Sequence, residues 1–208
     1  MLNTIEFLWT GPENGPGTVL LAHGAGAPMD SPFMDDIAGG LADAGLRTGR
    51  FEFPYMTKRR ADGKRRPPDR EPVLLESWRA AVAACGPAGS LVIGGKSMGG
   101  RMASLVADEL GVAGLVCLGY PFHPPGKPER LRTAHLLDLK TPALICQGAR
   151  DPFGTQEEVP GYGLAAGINI CWLPDGDHNL KPRKASGLTH EVNLAATVAA
   201  IDAFVRGL

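Results

Sequence analysis

Seven short apolar runs separated by stretches of helical period constrain this chain more than any other feature: Ile5 to Trp9, Thr18 to Ala22, Arg50 to Phe53, Leu91 to Gly94, Leu115 to Leu118, Ala143 to Cys146 and Ile168 to Leu173. Several are apolar without alternation, the pattern of parallel strands covered on both faces. Three intervening stretches carry clear helical faces. Leu74, Trp78, Ala81, Val82 and Cys85 form one, Met98, Met102, Leu105, Val106 and Leu110 a second, and Leu194, Val198, Ile201 and Val205 a third. Repeated strand, helix, strand units imply an α/β fold: a doubly wound, mostly parallel sheet of about seven strands with helices on both faces. A length of 208 residues suits one domain spanning 1–208.

In such sheets ligands bind beyond the carboxyl ends of the strands, so the loops leaving strands are where chemistry is sought. One of these loops is Gly94-Gly95-Lys96-Ser97-Met98-Gly99-Gly100, between an apolar run and a helical stretch. A Gly-x-Ser-x-Gly pattern in that context reads as a nucleophile elbow, a strained strand-to-helix turn that lifts the serine above the sheet. Gly95 and Gly99 leave room for the turn, and the helix aims its free N–H groups and positive dipole end where an oxyanion would form.

Serine is a poor nucleophile at neutral pH and needs a base, which in turn needs a third group to fix its tautomer. His178, after the last strand, and Asp151, after the strand before it, are the candidates. Asp175 and Asp177 flank His178 too closely in sequence to face its ring, and His23, His123, His135 and His190 lack its last-loop placement. The oxyanion hole would use the N–H of Met98 and a second from the loop His23-Gly24-Ala25-Gly26, that of Ala25 or of Gly26.

The order Ser97, Asp151, His178 resembles that of the α/β-hydrolase superfamily, and specifically its small bacterial members related to dienelactone hydrolase. The chain also resembles the hydrolase-like family that includes testis-expressed proteins and a subunit of a chromatin acetyltransferase complex. That closer likeness lies in His23-Gly24-Ala25-Gly26, Phe53-Pro54-Tyr55-Met56, Gly63-Lys64-Arg65-Arg66-Pro67-Pro68, the stretch from Gly94 to Arg101, and Asp177-His178-Asn179-Leu180-Lys181-Pro182. The resemblance implies hydrolysis of small esters or thioesters without a cofactor, and for some relatives a role as a complex subunit. Dienelactone hydrolases proper carry cysteine where this chain has Ser97, which argues against dienelactone as substrate.

Between Leu118 and Thr141 there is too little chain for an inserted helical lid, so an open site is expected. Tyr120, Phe122 and His123 in this connection are candidate pocket walls, although aromatic residues at a strand exit are as often packing. Seven of the 21 basic residues fall between Lys58 and Arg70, in a Pro-containing stretch to Pro72 that reads as low in order. A solvated loop is its favoured reading. The sharper one makes Arg65 and Arg66 a clamp for an anionic substrate, helped by Lys96, Arg101, Lys181, Arg183 and Lys184. The alternative function, a non-catalytic module binding an acidic partner through 58–70, sits poorly with a retained elbow, acid and histidine.

A net charge of −1 gives no general pull toward nucleic acid or membrane, and neither partner is expected. The four cysteines lack metal-ligand spacing, and Cys117, Cys146 and Cys171 sit in apolar runs as small hydrophobes. With no signal-like or membrane-spanning run in the sequence, a cytoplasmic setting is expected.

Overall fold

The computed structural model describes residues 5–208; the first four residues of the N-terminal reading lie outside the described residues. The strands are β1 (Leu8–Thr10), β2 (Thr18–Ala22), β3 (Arg47–Phe51), β4 (Leu91–Lys96), β5 (Gly114–Leu118), β6 (Ala143–Gly148) and β7 (Ile168–Leu173). They form one sheet in the order β1-β3-β2-β4-β5-β6-β7. Among the described residues only β1 runs antiparallel, against β3; every other pair is parallel. The doubly wound, mostly parallel sheet expected from the apolar runs is therefore the fold. Two strands are displaced from their sequence reading: β1 begins at Leu8, not Ile5, and β3 covers Arg47–Phe51.

The helices are α1 (Pro32–Asp43), α2 (Pro54–Asp62), α3 (Glu71–Cys85), α4 (Met98–Leu110) and α5 (His190–Arg206). Alternate residues of each central strand feed opposite layers. Val19 and Leu21 join Ile37, Leu41, Ile201 and Val205 under α1 and α5. Leu20 and Ala22 join Tyr55, Trp78, Met102 and Val106 under α2, α3 and α4. Burying such side chains in full contributes about 1.5–3 kcal/mol each before the entropy of ordering them is charged.

The stretch whose sequence reads as low in order is partly helical. Pro54 at the first helical turn and Gly63 in the left-handed region (φ 69°) bracket α2 over 54–62, while irregular chain is confined to 63–70. Between β5 and β6 the chain makes one short 3₁₀ turn at Ala134–Leu136 and no inserted domain. No helix among the described residues is long and apolar enough to cross a membrane.

Candidate active site

Ser97 is the single residue between β4 and α4, at φ 50° and ψ −112°. The residues two positions to either side must be glycine for a measurable reason. A Cβ on Gly95, itself at φ 150°, would lie 2.1 Å from the Ala22 carbonyl oxygen, and one on Gly99 would lie 2.4 Å from the same atom. Both clashes are with backbone, so neither can relax by a rotamer change. The N–H of Ser97 still donates to the Leu118 carbonyl at 3.0 Å, which extends the β4–β5 ladder to the turn and holds the strained residue in place.

His178 Nε2 lies 2.8 Å from Ser97 Oγ, and His178 Nδ1 lies 2.8 Å from Asp151 Oδ2. A carboxylate oxygen only accepts, so Nδ1 carries the proton, Nε2 accepts, and the Ser97 hydroxyl donates to it. Asp151 is fully buried, and its other contacts orient it: Oδ1 accepts from the Phe153 N–H at 2.9 Å and Oδ2 from Gln147 Nε2 at 3.0 Å. Burial holds the His178 imidazole below its ordinary value; the Asp151 bond opposes that and the Lys96 ammonium adds to it. Phe153 covers the imidazole at 4.2 Å between ring centroids.

The other acids near His178 have structural work. Asp177 Oδ1 accepts from the N–H groups of Asn179 and Lys181, closing the turn that carries the histidine. Asp175 pairs with Arg150 and Arg183, and Arg183 beside it holds its carboxyl down at about 2. From α5, buried Asn193 donates to the carbonyls of Pro174 and Leu180 and ties the same loop to the helix.

A cleft of about 330 Å³ opens over Ser97 and His178, with Ala25, Gly26, Phe33 and Phe153 among its walls. The N–H groups of Ala25, Gly26 and Met98 find no acceptor among the described residues. Lys96 also reaches this cleft. Its ammonium, almost fully buried, donates to the His178 carbonyl at 2.5 Å and sits 5.4 Å from the Phe33 ring centroid.

Several expected contacts are absent. Tyr120 and Phe122 are fully buried and His123 nearly so; Tyr120 packs on Phe122, Phe122 and His123 pack on Tyr162, and none lines the cleft. The reason is the turn at Gly119 (φ 67°): it sends the chain inward, where the Tyr120 hydroxyl donates to the Arg132 carbonyl and Phe122 packs against Gly154. Arg65 and Arg66 do not line the cleft either; Arg65 is exposed and Arg66 pairs with Asp62 four residues away. Arg101 pairs with Glu71 and Arg183 with Asp175, leaving Lys96 as the basic side chain at the cleft among the described residues. Gln147, Asn193 and Phe153 were not anticipated. A polar residue ending an otherwise apolar strand was the one visible signal, for Gln147.

A family model described as alpha/beta hydrolase domain matches residues 16–206. Among solved structures the chain is similar to XC6422 from Xanthomonas campestris, described as an a/b serine hydrolase without lid, at 20% identity and a TM-score of 0.70, over 100% of this chain and 96% of that one. It is similar to dienelactone hydrolase from Anabaena variabilis at 20% identity and a TM-score of 0.70, over 97% of each chain. Est1E from Butyrivibrio proteoclasticus aligns at 14% identity and a TM-score of 0.68, over 98% of this chain and 99% of that one. At such identities the solved structures speak to the fold, whereas the family match spans nearly all of the sequence: the chain belongs to the alpha/beta hydrolase domain family.

Proposed function

We propose that the protein is a serine hydrolase of small esters or thioesters, with Ser97 as nucleophile, His178 as general base and Asp151 as the group that orients it. The observation that carries this reading is the unbroken relay from Asp151 Oδ2 through both nitrogens of a half-buried imidazole to Ser97 Oγ, each step 2.8 Å. His178 takes the serine proton as Oγ attacks the acyl carbonyl. The tetrahedral oxyanion is held by the N–H of Met98 and that of Ala25 or Gly26. The imidazolium then protonates the leaving group, and water repeats the sequence on the acyl-enzyme.

Substrate size follows from the cleft. About 330 Å³ with apolar walls at Ala25, Phe33 and Phe153 suits a short or singly branched acyl group. A fluorophosphonate probe tests the chemistry: labelling is expected in the native protein and lost in Ser97→Ala and His178→Ala. Labelling that ignores Ser97, or none at all, would overturn the proposal. A p-nitrophenyl ester series is expected to give its highest kcat/KM with the shortest acyl chains.

A further inference from the structure

The loop after β2 is held by its carbonyl groups. His23 Nδ1 lies 2.6 Å from the Gly24 oxygen while its Nε2 accepts from the Phe53 N–H at 3.2 Å. Since a carbonyl only accepts, His23 is the neutral Nδ1–H tautomer, and its full burial keeps it neutral by lowering its pKa. The buried Tyr55 hydroxyl is shared between the Ala25 oxygen at 3.0 Å and the Gly24 oxygen at 3.4 Å. Arg59 Nη1 donates to the Gly26 oxygen at 3.2 Å. Successive carbonyls at 24, 25 and 26 are thus each engaged by a side chain, two of the donors one helical turn apart on α2.

A planar trans peptide points its N–H opposite to its C=O. Donors that draw the carbonyls of Gly24, Ala25 and Gly26 toward α2 therefore turn the N–H groups of Ala25, Gly26 and Ala27 the other way. The nucleophile lies beside this loop: a Cβ on Gly24 would lie 3.8 Å from the Ser97 Cβ, and Ala25, Gly26 and Ala27 line the cleft with Ser97. α2 is itself pinned. Asp69 accepts the Tyr55 N–H at 2.8 Å, and Arg60 binds both Asp30, at the far end of the loop, and Glu52.

We infer that α2 is a clamp on the oxyanion loop, with Tyr55 and Arg59 as positioning residues that present the loop's N–H groups to the cleft; this rests on the hydrolase reading above. It also gives the basic stretch a use that requires no anionic ligand, because Arg59 and Arg60 spend their donors on the loop and its flank. A hole of fixed donors stabilises charge that exists only in the transition state, so loosening it lowers kcat and spares ground-state binding.

The test compares the native protein with Tyr55→Phe, Arg59→Met, Arg59→Lys and, as a same-helix control, Lys58→Ala. Hydrolysis of p-nitrophenyl acetate and binding of phenylboronic acid, which forms a tetrahedral anion on an active-site serine, are measured per folded molecule. Tyr55→Phe is expected to lower kcat about 10- to 100-fold with KM held within about twofold, and to weaken boronic acid binding in parallel. Arg59→Met should show a smaller loss of the same kind, Arg59→Lys should recover it, and Lys58→Ala should match the native protein. If Tyr55→Phe lowers the melting temperature while kcat and boronate affinity stay native, Tyr55 is only structural and the clamp is overturned. Should Tyr55→Phe fail to fold, the Arg59 pair decides: equal kcat in Arg59→Met and Arg59→Lys would overturn the clamp. A native protein that neither hydrolyses the ester nor binds the boronic acid would instead sink the hydrolase reading, and the clamp with it.

Discussion

Replacing Lys96 by methionine is expected to separate stability from function at this site. The ammonium is buried next to the nucleophile; Asp151 and Asp177 attract it, but burial outweighs them and pushes its pKa from the ordinary 10.5 to about 8. The unfolded chain therefore keeps this proton up to about pH 10.5, while the folded chain gives it up near 8. Between those values the unfolded state binds more protons, so stability rises with pH: the penalty is complete below 8 and relieved above 10.5. At about 1.4 kcal/mol per pH unit the penalty is ~3 kcal/mol. Methionine keeps the length of the stem and removes the charge, but strips the His178 carbonyl of its donor, at a cost of about 1–3 kcal/mol. The two effects nearly offset at neutral pH, so the diagnostic quantity is how the difference between the proteins changes. In urea unfolding at pH 7.5, 9 and 10.5, Lys96→Met should lose ~3 kcal/mol relative to the native protein across the series. The half-buried Cys85 and the buried Cys117 thiols, pushed up by desolvation, destabilise both proteins alike above their ordinary 9 and cancel in the comparison. A difference that stays flat over this range would refute the reasoning. Activity should fall at every pH, because the loop carrying His178 loses its tether to β4.

The remaining expectations concern the base, the elbow and the basic stretch. Burial lowers the His178 pKa, so its neutral form survives below 6.5 and the acid limb of kcat/KM should lie below that value; Lys96→Met, without the ammonium, should move the limb upward. A limb at or above 6.5 in the native protein would contradict this. Gly99→Ala places a Cβ 2.4 Å from the Ala22 carbonyl oxygen and should destabilise by about 4 kcal/mol or more, read as a fall in Tm or loss of folded protein; a near-native Tm would refute the steric account. The double change Arg65→Ala with Arg66→Ala should leave kcat/KM for anionic and neutral esters within about twofold of native, and a selective loss for anionic esters would restore the clamp on substrate.

The central strands were legible because their signal is local: β7 has the bounds of its apolar run, and β2 likewise. β3 was harder. Buried Thr48 and Arg50 interrupt its apolar character, and Arg50 is tolerated there because Asp35 and the Met29 carbonyl meet its guanidinium. α1 gives a weak sequence signal because Gly39, Gly40 and its acidic residues dilute the apolar face of Met34, Ile37, Ala38 and Leu41. α2 buries only Tyr55 and Met56 and carries a basic surface, so its composition resembles solvated loop; a distant acid, Asp69, meets its first turn.

From sequence alone came the sheet class, the elbow and the chain order of serine, acid and histidine. All three depend on short-range pattern: run length, glycine spacing and the succession of strand exits. Only the tertiary structure decided what supports the site. The Lys96 to His178 bond spans 82 positions, that of Tyr55 to the Ala25 carbonyl 30, and that of Asn193 to Leu180 13. Such bonds depend on how helices seat on the sheet and on which polar groups that seating buries, and a buried donor or acceptor must find a partner wherever the fold places one. For the same reason Tyr120 and Phe122 went to the core, while Tyr55, from a Phe-Pro-Tyr-Met stretch that carries a family likeness but no sign of a site role, came to hold the loop beside Ser97.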